Sequence, residues 1–309
     1  MQKLLLAVDG SQASEEAARL IARLPHPERL EVTVLSVVPH PVFHGGSSRV
    51  DLLEKAFERD NELAAETFRK IEDMFDGANV TLVHQIRNGN IGQAIVDAAI
   101  ETHADLVVLG AVGRSDISRV LLGSVSDHVA THAPCSVLVV RPTGLVGTDK
   151  PIRVCLAFEG SGPAQAALEE ISEIPWHSGT DFHVLSVASY LYDFFGELHK
   201  DSETAQRYTN DLKSAKEQLD EVASTVQTHL IESEHIGEGI VNFASKNDVD
   251  LLVIGETNRN ALTRFLLGST SRYVLRHAPC SVWISRNRIV KGVKKTGEHR
   301  EAISEPQNS

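Results

Sequence analysis

The sequence is poor in the features that mark a secreted, membrane-spanning or nucleic-acid-binding protein. Its 309 residues include three cysteines, Cys135, Cys155 and Cys280. They form no CxxC pair and stand in or beside apolar runs. That excludes a disulfide framework or a cysteine zinc site and leaves reduced, buried thiols as the expectation. No apolar run is long enough to span a bilayer, and six apolar residues before Asp9 are too few for a signal-peptide core. A cytoplasmic location is expected. Positive charge is also short, with 30 Lys and Arg against 42 Asp and Glu and a formal net charge of −12. A nucleic-acid backbone or an anionic membrane surface is therefore excluded as the main partner, and the charge is read as serving solubility.

Two common kinds of nucleotide machinery are missing as well. There is no GxxxxGK[ST] phosphate loop, and no serine- and glycine-rich SGGxDS loop of the kind found in ATP pyrophosphatases. His128 and His132 stand four residues apart, a spacing that can grip a metal on a helix. No Glu or Asp partner pattern accompanies them, so they are read as surface or core-edge residues.

What the chain does contain is a duplication. GAVGRSDISRVLLGS (Gly110 to Ser124) is echoed by GETNRNALTRFLLGS (Gly255 to Ser269), HAPCSVLVV (His132 to Val140) by HAPCSVWIS (His277 to Ser285), and AVDGS (Ala7 to Ser11) by AFEGS (Ala157 to Ser161). Similar signatures in the same order mean two copies of one domain. The stretch Arg141–Lys150, rich in Pro, Gly and Thr, reads as the linker. The division is a first domain over 1–142, a second over 151–286, and a polar, loosely ordered tail over 287–309.

Within the first copy, apolar runs of strand length fall near 2–8, 31–38, 80–86, 105–109 and 136–140. Segments of helical period lie between them at Ser14–Arg23, Arg49–Phe75, Asn90–Thr102 and Ser124–His132. In the second copy Ser202–Gln227 reads as a charged, solvated cover helix. Alternating strands and helices imply a parallel sheet, and LVVLG and LLVIG are apolar on consecutive residues, as strands covered on both faces are. The expected fold class is α/β, two tandem doubly wound parallel-sheet domains. Ligands of such sheets bind at the carboxyl ends of the strands, where the chain order reverses.

The glycine segment begins at one of those ends. Gly110 and Gly113 are expected to take positive φ and to let backbone N–H groups approach an anion. Gly123-Ser124 opens a helix whose unpaired N–H groups and positive dipole end favour negative charge, the serine adding a hydroxyl donor or a cap. Asp9, just past the first strand, stands where a carboxylate can accept hydrogen bonds from ribose hydroxyls.

The order AVDGS, LSVV, GAVGRSDISRVLLGSVS and APCSVLVV resembles the universal stress protein family. Its nucleotide-binding members carry glycine, two residues, glycine, nine residues, then glycine and serine or threonine. Gly110, Gly113, Gly123 and Ser124 match that motif in full. The resemblance covers nearly the whole chain and implies two tandem domains of the adenine nucleotide alpha hydrolase-like type. It further implies that Asp9 holds the ribose, that Val37 meets the adenine edge through its backbone, and that Ala7 lines the base pocket. Gly110, Gly113, Gly123, Ser124 and Ser126 would hold the phosphates of ATP or a related adenine nucleotide, with Mg²⁺ or Mn²⁺ left open as companion. Arg114 is a further phosphate candidate on chemical grounds, a solvated loop arginine being the equal alternative. Family members commonly dimerise through the last strand. The two copies are therefore expected to form an internal pseudo-dimer, with homodimerisation of the whole chain left open.

The second copy departs from the motif. Asn258 replaces the middle glycine, Glu159 replaces the aspartate, and Glu256 adds a carboxylate to the loop. Its site is expected to be weak, altered or empty. The resulting reading is a cytoplasmic, nucleotide-dependent regulatory module in the stress response. A slow ATPase and a ligand-independent scaffold stand as alternatives.

Overall fold

The computed structural model describes residues 1–26, 28–39, 50–113, 122–142, 150–176, 180–189, 203–256 and 267–286. The first half runs β1 (Lys3–Val8), α1 (Gln12–Arg23), β2 (Leu30–Val38), α2 (Val50–Met74), β3 (Val80–Asn88), α3 (Ile91–Thr102), β4 (Leu106–Gly110), α4 (Ser124–His132) and β5 (Ser136–Val140). The second repeats it as β6 (Arg153–Ala157), α5 (Gly162–Ser172), β7 (Asp181–Ser189), α6 (Glu203–Leu219), β8 (Thr225–Ser233), α7 (Ile236–Lys246), β9 (Leu251–Gly255), α8 (Ser269–His277) and β10 (Ser281–Ser285).

All ten strands lie in one sheet of order β3-β2-β1-β4-β5-β10-β9-β6-β7-β8. Pairing within each half is parallel. At the centre β5 and β10 run antiparallel, with Leu138 opposite Trp283 and Val139 opposite Val282. The two apolar edges expected to seek partners thus satisfy each other, and the halves form an internal pseudo-dimer.

Consecutive apolar residues in the strands feed two cores. In β1, Leu4, Leu6 and Val8 point to a face covered by α1 and α2, and Leu5 and Ala7 to a face covered by α3 and α4. The second half repeats this with α5 and α6 on the first face and α7 and α8 on the other. The architecture is doubly wound, as the runs LVVLG and LLVIG require.

The serine of each AVDGS-like motif is a helix cap. Ser11 Oγ accepts the Ser14 N–H at 3.2 Å, and Ser161 Oγ accepts the Ala164 N–H at 3.3 Å. The preceding Gly10 and Gly160 have φ of 75° and 73°, a conformation that side chains with a Cβ disfavour.

Three expectations need correction. The helix read over Ser202–Gln227 ends at Leu219, and its last residues belong to β8, because Val226 points into the core. Gly110 and Gly113 do not have positive φ; close approach accounts for them instead. Arg141, assigned to the linker, is buried, and its guanidinium donates to the carbonyls of Leu275 at 2.6 Å and Cys280 at 3.4 Å. Arg286, just past β10, does the same in reverse, donating to the carbonyls of Ala130 and Ala133 (the latter at 3.2 Å). The backbone N–H groups mirror this, Arg141 to Ser281 Oγ at 3.1 Å and Arg286 to Ser136 Oγ at 3.0 Å. Each arginine thus caps the C-terminal end of a helix in the opposite half, where a cation meets the negative dipole end. Residues 287–309, expected as a tail, lie outside the described residues.

The three cysteines are free and buried. Burial pushes the Cys135 and Cys280 thiols up to about 12 and raises Cys155 as well. Protonated thiols of this kind are poor nucleophiles. Among the described residues no helix is long and apolar enough to cross a membrane.

Candidate functional site

The chain order reverses between β1 and β4, which pair with each other while β1 leads on to β2 and β4 to β5. At their carboxyl ends lies a cavity of about 440 Å³. Its lining brings together Ala7, Asp9, Val37, Gly110, Gly113, Gly123, Ser124 and Ser126. Arg114 and Asn258 lie outside the described residues.

Each glycine of the motif has a local reason. A Cβ on Gly110 would stand 2.7 Å from Ala13 Cβ, so glycine lets the end of β4 pass the first turn of α1. A Cβ on Gly113 would stand 2.9 Å from Asp9 Oδ2. Gly113 is therefore the residue that admits the carboxylate to the cradle. The other oxygen, Asp9 Oδ1, accepts the Ser11 N–H at 3.0 Å, which fixes the side chain over the β1–α1 turn.

Gly123, not Ser124, is the N-cap of α4, and no side chain caps the helix start. Gly123 N–H donates to the Ala111 carbonyl at 2.8 Å, while exposed Ser124 and the turn that follows face the cavity. The uncapped first turn presents N–H donors and the positive dipole end to whatever anion occupies the cavity.

Ser126 lines the cavity with its hydroxyl already engaged. It is buried, and its hydroxyl reaches the carbonyls of Gly110 at 2.8 Å and Ala111 at 3.2 Å. That hydroxyl ties α4 to the end of β4.

The opposite end of the cavity is apolar. Leu35, Val37 and Val38 of β2, Leu109 of β4, and Ile91 and Ile95 of α3 form a slot suited to a flat ring. Sequence reasoning missed its roof, where Asp60, Leu63, Ala64 and Thr67 of α2 close over it. Leu63 and Ala64 belong to the helical stripe visible in the sequence, but a stripe alone cannot tell a core face from a ligand-facing one. Beyond the α4 end an adjoining cleft of about 600 Å³ shares Pro39, Ile91, Ser124 and Val125, so this end opens outward.

His128, at the rim of that cleft, stacks on His132 at 4.2 Å between ring centroids, and His132 Nδ1 is bonded to the His128 carbonyl at 2.8 Å. Burial, with the neighbouring His132 next, lowers the pKa of His128. No group of three metal-ligating side chains occurs among the described residues. In the second half Glu159, at the Asp9 position, is hydrogen-bonded by the Ser161 hydroxyl, so the carboxylate is held by a side chain where Asp9 is held by backbone.

Comparison with known proteins agrees with this anatomy. The model of the universal stress protein family matches residues 1–141 and 152–286. A universal stress protein of Mycolicibacterium smegmatis is 25% identical over 291 residues, covering 92% of this chain and 97% of that one. One from Methanocaldococcus jannaschii is 30% identical over 142 residues, covering 45% of this chain and 82% of its own. The crystal structure of a universal stress protein from Archaeoglobus fulgidus shares the fold, with a TM-score of 0.65 at 21% identity over 92% of this chain and 96% of that chain. With two successive family matches that together span nearly all of the duplicated sheet, the chain belongs to the universal stress protein family.

Proposed function

We propose that the first half binds ATP or a related adenine nucleotide and that the protein is a cytoplasmic, nucleotide-dependent regulatory module of the stress response. The observation that carries this reading is the convergence in one cavity of an apolar slot, a carboxylate and an uncapped helix start. The base enters the slot beneath α2, with the Val37 backbone at its edge and Ala7 beneath it. The ribose hydroxyls donate to Asp9. The phosphates lie along Gly110, Gly113 and Gly123 and against the first turn of α4, where N–H donors and the dipole offset their charge. Mg²⁺ or Mn²⁺ enters, if at all, as the triphosphate's own companion.

Binding and release, rather than turnover, is the proposed activity. Asp9 and Asp60 are the titratable side chains of the described lining, and the reading gives neither a proton-transfer role. ADP release during incubation with ATP tests the slow-ATPase alternative.

Calorimetric titration with ATP tests the site. Gly113→Val is expected to abolish binding, because its Cβ meets Asp9 Oδ2 and its methyl groups fill the cradle. Wild-type affinity in that variant would place the nucleotide elsewhere.

A further inference from the structure

We infer that Glu256 is the residue that confines nucleotide binding to the first half, its carboxylate serving as a built-in anion of the second cradle. The inference rests on the reading of the first half given above and concerns what differs in its copy.

The two loops start alike. Ala111, one residue past β4, donates its N–H to the Val140 carbonyl at 2.8 Å, and Glu256, one residue past β9, donates its own to the Ser285 carbonyl at 3.0 Å. They then diverge at the helix start. In the first half the Gly123 N–H is taken by the neutral carbonyl of Ala111, whose side chain is a buried methyl. In the second half the matching Gly268 N–H is taken at 2.8 Å by Glu256 Oε1.

The position of the second oxygen extends the difference. A Cβ on Gly268 would lie 3.2 and 3.7 Å from the two carboxylate oxygens of Glu256, whereas one on Gly123 would face the Ala111 carbonyl at 3.2 Å and Ser126 Oγ at 3.8 Å. Both oxygens of Glu256 therefore crowd the N-cap of α8. A full negative charge stands at the helix start where the first half keeps a neutral group.

Arg286, one residue past β10 and buried, is lowered from its ordinary value by burial and raised again by Glu256. The carboxylate thus has a cationic neighbour and a backbone donor, and it satisfies the positive end of α8 that a phosphate would otherwise seek. An incoming phosphate must displace Glu256 or accept a like charge in close contact.

The test is a calorimetric titration with ATP of wild type, Glu256→Ala, Gly113→Val and the double variant. Wild type is expected to take one equivalent. Glu256→Ala is expected to take a second, at roughly ten- to a hundredfold lower affinity for want of one or two contacts. Gly113→Val should take none, and the double variant one. Glu256→Gln removes the charge while keeping an acceptor for the Gly268 N–H, and is expected to take a second equivalent more weakly than Glu256→Ala does. Two equivalents in wild type, or one in a folded Glu256→Ala protein, overturns the inference. Should Glu256→Ala fold poorly, the stoichiometry of Glu256→Gln decides in the same way. Loss of the first-half reading shows separately, as wild-type binding by Gly113→Val, and the increment from Glu256→Ala over wild type still judges the second cradle.

Discussion

Ser126 shows how much of the cradle depends on a side chain that need never touch a ligand. Its hydroxyl is the buried link between α4 and the last residues of β4. Ser126→Ala removes that link, taking this donor from the Gly110 carbonyl while the Ala111 carbonyl keeps the Gly123 N–H. A loss of about 1–2 kcal/mol in stability is expected, visible as a lower urea midpoint, together with several-fold weaker ATP binding as the helix start drifts from Gly110. Unchanged affinity at reduced stability would show that the helix start is positioned without it. The grouping was legible in the sequence to this extent, that eight of the nine candidate residues line one cavity. Their tasks were less so. A serine two positions into a helix looks the same whether it faces an anion or the carbonyls behind it, and spacing cannot show that Gly113 stands aside for Asp9. The positive φ expected at Gly110 and Gly113 belongs instead to Gly10 and Gly160, where the chain reverses in two residues between strand and helix cap.

Among the elements, β7 and β8 carry a feature that motif reading does not reach. His183 of β7, paired with Gln227, and His229 of β8, paired with Leu185, meet diagonally across the outer strands, Nδ1 to Nε2 at 3.0 Å, and both pack on Phe243 of α7. One nitrogen must donate and the other accept, so the contact is lost when both rings are protonated. Burial lowers both pKa values from 6.5; Asp181 opposes the shift at His183, and the neighbouring His183 adds to that at His229. A lowered folded value means that the neutral pair's contribution is fully present above about pH 6.5 and is lost as pH falls through the folded values. The urea midpoint of wild type should therefore drop between pH 8 and pH 5.5. His229→Gln should reduce the drop, leaving a residual slope from His183, His26, His84 and His128, which burial also lowers. Glu16 and Asp250, raised chiefly by burial, work in the opposite sense, since their protonation on acidification favours the folded state. An identical slope in His229→Gln would remove the pair from the account. The elements themselves were largely visible in advance, α4 to the residue and β5 likewise. The misjudged end of α6 shows the limit, because the polar residues of an outer strand such as β8 look like the solvated face of a helix.

At the scale of the molecule, the halves are fastened by more than the pairing of β5 with β10. Arg141 and Arg286 each reach across the pseudo-dyad to the last turn of the other half's cradle helix. Arg286→Met keeps the volume of the stem but leaves the Ala130 and Ala133 carbonyls without that donor. A loss of about 2–4 kcal/mol is expected, as for breaking a buried charge-assisted network. Hydrogen exchange should locate the loosening in α4, in the half that does not carry the substitution, and Arg141→Met should produce the mirror effect in α8. Protection lost only around β10 would mean that the arginine serves its own half alone. Neither arginine could be singled out beforehand, because residues that follow a terminal strand read as linker until the partner helix is known.

The antiparallel junction also sets how the two unlike cradles are supplied. Single-domain chains that meet edge to edge associate by mass action, part on dilution and can exchange partners. Here the β5 edge finds β10 on its own chain, at an effective concentration fixed by the connecting segment rather than by expression level. The pairing cannot be diluted away, and no molecule can be assembled from two first halves without leaving both second halves unmatched. Whatever the two cradles each bind, every molecule carries them in a ratio of one to one.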